Sequence, residues 1–199
     1  MKILVIDDNQ KHLNSALQTL AGHDVTICST HDEALKLLQR NIDRDLFSSL
    51  FAKYRSSGMK VHGIGSASDR AVTESRLPYQ WDAVLCDLLM PAGQNQQGYE
   101  GEKFIGQEMP IGWSLALMAS RAGAKYVAVV TDTSHHDHPA SAMLDSIGDH
   151  IFDIDGAKVL MTNTVHMVDV EGADGYIEKG KNWGEILNYL VIPCPDLIS

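Results

Sequence analysis

The chain has 199 residues, 44% of them hydrophobic and 21% charged, the balance of an ordinary folded domain rather than of a disordered or fibrous chain. Sixteen Lys and Arg against 26 Asp and Glu leave a net charge of −10, and no basic run occurs, which argues against direct contact with nucleic acid. The longest apolar runs are strand-length, so no membrane span is expected, and the N-terminus lacks the apolar stretch of a secretory signal. Cys28, Cys86 and Cys194 are odd in number and far apart, the pattern of reduced thiols in a cytoplasmic protein.

Residues 2–6 form a continuous apolar run, typical of a strand buried on both faces, and Asp7 and Asp8 end it. Leu13, Ala16, Leu17 and Leu20 recur at helical spacing, and Gly22 closes that helix. Val25 and Ile27 alternate as a second strand, and Thr30 with Glu33 makes a capping box for a helix through Ala34, Leu35, Leu37 and Leu38. Residues 41–80 break the rhythm and read as an insertion. Leu46, Phe47, Leu50, Phe51 and Tyr54 continue the helical pattern to about residue 56, and Ser56 to Ser68 reads as loop with room for a short strand at 59–61.

Ala83 to Cys86 is the next buried strand, ending at Asp87. A loop rich in Gly and Gln runs to about residue 110, a helix occupies 111–122, and a strand from Tyr126 to Val130 ends at Thr131. A short helix spans 139–147, and Asp155-Gly156 between apolar runs signals a hairpin across 151–161. Residues 175–178 read as the last strand, ending at Lys179, before an amphipathic helix marked by Trp183, Ile186, Leu187 and Leu190. Five βα units plus inserted segments predict an α/β fold with a parallel sheet and helices on both faces.

Ligands of such sheets bind beyond the carboxyl ends of the strands. Those ends carry Asp7 and Asp8, then Asp87, Thr131 and Lys179. Carboxylates brought together repel unless a cation neutralises them, and Mg²⁺, which takes one or two carboxylates and a phosphate oxygen, fits that need. A carboxylate is also a nucleophile toward phosphorus, and a metal, an ammonium and a hydroxyl stabilise the transferring phosphoryl group.

Val-Ile-Asp-Asp-Asn, Cys-Asp-Leu-Leu-Met-Pro, Val-Val-Thr and Gly-Tyr-Ile-Glu-Lys, in that order, resemble the receiver domain of bacterial response regulators. The resemblance implies a flavodoxin-like, doubly wound, five-stranded sheet of order 2-1-3-4-5. It implies a single receiver-like domain over 1–199, with insertions at about 41–80, 92–110 and 149–171 and no second domain after Ser199. It makes Asp87 the phosphoacceptor and Asp7, Asp8, Asp87 and the backbone carbonyl of Leu89 the ligands of Mg²⁺. Thr131 becomes the hydroxyl that bonds the phosphoryl group, Lys179 its counter-cation and Tyr176 the switch aromatic. The implied partners are a histidine kinase or phosphotransfer protein and a downstream protein target, with a homodimer compatible. Two alternatives stand beside this: a receiver-like interaction module that does not phosphorylate, and a metal-dependent phosphohydrolase.

The sequence departs from the family's pattern where Gly180 follows Lys179 in place of proline and where Asp132 follows Thr131 in place of a small residue. An extra carboxylate at 132 would repel a phosphoryl group or recruit another cation. His135, His136 and His138 have metal-ligand chemistry, but adjacent histidines diverge, so a solvated loop and helix start is expected. Phe152-Asp153-Ile154-Asp155-Gly156 reads as a hairpin turn, Gly63-Ile64-Gly65-Ser66 as linker, and Trp113 and Trp183 as core residues.

Overall fold

A computed structural model of the chain describes residues 1–95, 98–148, 150–163, 167–172 and 175–192; Cys194 lies outside the described residues. The elements in chain order are β1 (Lys2–Ile6), α1 (Gln10–Thr19), β2 (Asp24–Cys28), α2 (His31–Leu37), α3 (Arg44–Ser56), α4 (Ala67–Glu74), β3 (Ala83–Asp87), β4 (Met90–Pro91) and β5 (Glu108–Met109). They continue with α5 (Gly112–Ala122), β6 (Tyr126–Thr131), α6 (Pro139–Ile147), β7 (Ile151–Ile154), β8 (Ala157–Asn163), β9 (Met167–Glu171), β10 (Ile177–Lys181) and α7 (Trp183–Val191). The chain divides into two compact units, residues 1–38 with 81–199, and residues 39–80.

The larger unit is a mixed α/β structure around a six-stranded, mostly parallel sheet of order β2-β1-β3-β6-β8-β7. Its first five strands pair in parallel, and β7 joins the edge antiparallel to β8. The sheet thus differs from the expected one in strand count and in the identity of its fifth parallel strand. The hairpin around Asp155-Gly156 is present, with both residues at positive φ (53° and 83°), the backbone that a tight turn between twisted strands requires. Its second arm, β8, lies parallel to β6 and completes the parallel set. Residues 177–181 are not in this sheet at all. They form β10 of a separate antiparallel ribbon with β9, and that ribbon packs on α1.

Strand residues on both faces are buried, as continuous apolar runs dictate. Ile3, Val5, Leu85 and Val130 face a core closed by Leu13, Ala16 and Leu20 of α1 and Trp183, Ile186 and Leu190 of α7. Each such side chain contributes about 1.5–3 kcal/mol by leaving water. α5 packs on β3 and β6, and its end is set by Gly123 at φ 114°, where only glycine adopts the left-handed turn without strain. Thr30 caps α2, its hydroxyl accepting from the Glu33 N–H at 3.3 Å.

The smaller unit is a helical pair. The expected continuous helix to residue 56 is broken, because Asp43 accepts from the Asp45 and Leu46 N–H groups and starts α3 afresh. α4, capped by Ser66, was not expected, and residues 59–61 form no strand. α3 and α4 are tied by the Tyr54 hydroxyl, which donates to Glu74. No helix among the described residues is long and apolar enough to cross a membrane.

Candidate functional site

Three carboxylates meet at the carboxyl edge of the sheet. Asp7 follows β1, its N–H donating to the Cys28 carbonyl of β2, and one carboxylate oxygen accepts the Asn9 N–H at 2.9 Å. Asn9 in turn caps α1, so the β1–α1 turn is built from its own polar side chains. Asp87 is the last residue of β3, paired in register with Val130 of β6. Gly112 lets α5 start directly on that strand end, since a Cβ there would sit 2.1 Å from the Asp87 carbonyl oxygen. Asp7 and Asp87 are buried and Asp8 is exposed, and one oxygen from each lies within 4.8 Å of the others. This is the only such trio of potential metal-ligating side chains among the described residues.

The cation at this edge is not Lys179. The Lys179 ammonium pairs with Asp169 across the β9–β10 ribbon at 2.5 Å, and its side chain is 66% exposed. Lys181, two residues on, is completely buried, with Nζ 2.7 Å from Asp7 Oδ2 and 2.9 Å from Asp87 Oδ1. The physical reason lies in the ribbon. Because residues 177–181 leave the main sheet, Lys179 stands at a solvent-facing position and only the last residue of β10 reaches the strand ends. Gly180 has a packing role here: a Cβ would lie 2.6 Å from Ser15 Cβ and 2.8 Å from Val170, so only glycine lets β10 lie against α1.

The buried Asp87 Oδ1 faces the Lys181 ammonium as an ion pair. Burial pushes the Asp87 carboxyl up to about 7, opposed by Lys181 and reinforced by Asp7. Asp8 is also raised, by burial first and then by Asp7 and Glu108 of β5, so the β4–β5 ribbon brings a further negative charge toward the site. Burial would lower the Lys181 ammonium, but Asp87 and Asp7 more than offset it and hold it above its ordinary value.

Thr131, the last residue of β6, is buried, and its Oγ1 accepts the Thr133 N–H at 3.1 Å. Asp132 is already partnered within the protein. It lies 3.0 Å from His12 Nε2 and 3.6 Å from Lys11 Nζ, and the His12 hydrogen bond holds its carboxyl well below the usual range. Leu89 is buried in the turn between β3 and β4. Tyr176 is 74% exposed and precedes β10 on the ribbon, away from any strand of the main sheet.

The histidine run forms no three-ligand cluster. His135 pairs with Asp145 at 2.9 Å and contacts His136, while His138 accepts the Ala140 N–H and caps α6. Asp153 accepts the Gly156 N–H, a turn contact. Trp183 is fully buried, and Trp113 is partly buried at the start of α5.

Two members of the site escaped the sequence reading. Lys181 was hidden by Lys179, which directly follows the expected strand at 175–178. His12 sits beside Leu13 on the buried face of α1, a placement that marks a buried polar residue needing partners.

The arrangement offers hard oxygen ligands and an ammonium, which suits a small divalent cation and an anionic ligand. No family model, no curated protein and no solved structure matches the chain.

Proposed function

We propose that this chain is a receiver-like phosphoacceptor module of a two-component phosphorelay, taking a phosphoryl group on Asp87 in a Mg²⁺-dependent reaction. The observation that carries the reading is the meeting of Asp7, Asp8 and Asp87 with the Lys181 ammonium at the carboxyl edge of a parallel sheet, beside a strand that ends in buried Thr131. The mostly parallel sheet supports it as well, since ligands of such sheets bind beyond the carboxyl ends of the strands.

Asp7, Asp8, Asp87 and the Leu89 carbonyl are the groups that would hold Mg²⁺, and the mutual approach of the three carboxylates within 4.8 Å fits such a ligand. When bound, the ion supplies neutralisation of the carboxylates and of the phosphoryl oxygens. The protein's own residues do the rest. An Asp87 carboxylate oxygen forms the bond to phosphorus while the bond to the donor's imidazole nitrogen breaks, and the electron pair leaves with the imidazole. Lys181 balances the charge of the acyl phosphate, and the Thr131 hydroxyl donates to a phosphoryl oxygen. The donor is a histidine kinase or phosphotransfer protein, and the output is contact with a downstream protein.

Intact-mass measurement after incubation with acetyl phosphate and Mg²⁺ tests this. One phosphoryl group is expected on the wild type and none on Asp87→Ala. Uptake by Asp87→Ala would overturn the assignment.

A second reading, a module that does not phosphorylate, is favoured by one observation: Lys181 already pairs with both Asp7 and Asp87. A folded wild type that binds neither Mg²⁺ nor beryllofluoride would select it.

A further inference from the structure

Lys181 reaches the carboxylates from a ribbon that shares no ladder with the main sheet. Its placement therefore depends on what fastens the end of β10 to α1. The backbone of Lys181 is gripped on both sides: its N–H donates to His12 Nδ1 at 3.1 Å, and its carbonyl accepts the Ser15 hydroxyl at 2.8 Å. His12 is itself buried and committed in three directions. Because Nδ1 accepts, the ring proton resides on Nε2, which donates to Asp132 at 3.0 Å. The His12 carbonyl accepts the Trp183 indole N–H at 2.9 Å. One residue thus ties the loop after β6 and the end of β10, through its ring, and the start of α7, through its carbonyl, around the ammonium.

We propose that His12 is a positioning residue, holding Lys181 against Asp7 and Asp87 through the Lys181 amide, with Asp132 fixing the tautomer that makes this possible. Its consequence for phosphoryl transfer rests on the phosphoacceptor reading above; its grip on Lys181 does not. An acceptor at the δ position of residue 12 is the requirement for that grip, and a donor at the ε position serves only Asp132.

Two substitutions separate these roles. His12→Asn keeps an acceptor near the Nδ1 position, whereas His12→Gln keeps a polar group near Nε2 and loses the δ acceptor. The readout is the rate at which an N-hydroxysuccinimide acetate reagent labels Lys181 relative to exposed Lys179, followed by peptide mass spectrometry on the full chain. Wild type and His12→Asn are expected to protect Lys181 alike, and His12→Gln to label it about tenfold faster, as loss of one buried hydrogen bond predicts. Equal labelling of the two variants, or the reverse order, would overturn the proposal.

Phosphoryl uptake from acetyl phosphate and Mg²⁺ is followed on the same proteins. It is expected to slow about tenfold in His12→Gln and to recover in His12→Asn. A wild type that takes up no phosphate while the labelling order holds would overturn the phosphoacceptor reading and support the positioning of Lys181.

Discussion

Lys181 Nζ lies 2.7 Å from Asp7 Oδ2, and both side chains are fully buried. An ammonium in that position cannot be removed without stranding carboxylate charge in the interior. Lys181→Met is therefore expected to cost about 3–5 kcal/mol, as breaking one side of a buried pair does. Lys179→Met, which loses an exposed pair with Asp169, is expected to cost no more than about 1 kcal/mol. Urea unfolding of the two variants ranks the lysines directly, and an equal cost would contradict the geometry.

Stability of the metal-free protein is expected to fall as pH rises from about 4 toward 7. In the unfolded chain Asp87 ionises near about pH 4, whereas burial holds it protonated to about 7 in the folded protein. Between those values the folded state binds more protons, so alkali favours unfolding. Asp132 acts in the opposite sense and in a different window. Its lowered pKa contributes stability that is complete above the ordinary carboxylate range and is lost on acidification below it. Urea midpoints across the pH series, taken with a chelator, should show the decline in wild type and a smaller one in Asp87→Asn, where the raised Asp8 carboxyl alone remains. Excess Mg²⁺ should flatten the wild-type decline by binding the folded state alone.

Gly180→Ala is expected to destabilise by about 1–3 kcal/mol, because its methyl group would meet Ser15 and Val170 at under 3 Å. The ribbon has to lift from α1 to admit it. Increased acetylation of Lys181 in this variant would report the lift, and unchanged protection would show that Ser15 yields instead.

Removing the Thr131 hydroxyl is expected to slow phosphoryl uptake about 10²-fold in Thr131→Val, the effect of losing one donor to a developing oxyanion. Thr131→Ser should retain most of the rate. Stopped-flow tryptophan fluorescence or timed intact-mass sampling would distinguish them, and a Val variant as fast as wild type would remove Thr131 from the site.

β1, β3 and β6 were legible because each is a short apolar run ended by a polar residue, and that pattern is what a strand buried on both faces demands. Asp7, Asp8, Asp87 and Thr131 were legible for the same reason: the strand ends fixed their places. Lys179 was misassigned because residues 175–178 carry the local look of a strand, while the choice between main sheet and ribbon is made by tertiary pairing. β8 took the fifth place with the apolar run Val159, Leu160 and Met161, which also suits a hairpin arm, and it serves as both. His12 and the Asp132 pair were not legible, since 120 residues separate partners that local pattern cannot connect. The helix break before α3 was legible in principle, since Asp43 is a strong capping residue ahead of Asp45 and Leu46.

The separation of 174 residues between Lys181 and Asp7 also bears on the order of assembly. A growing chain that has reached Asn163 already contains the five parallel strands and every carboxylate of the site, but no ammonium for them. Asp7 and Asp87 are brought side by side by the pairing of β1 with β3, so the ammonium that lies against both is the last charge of the site to be synthesised.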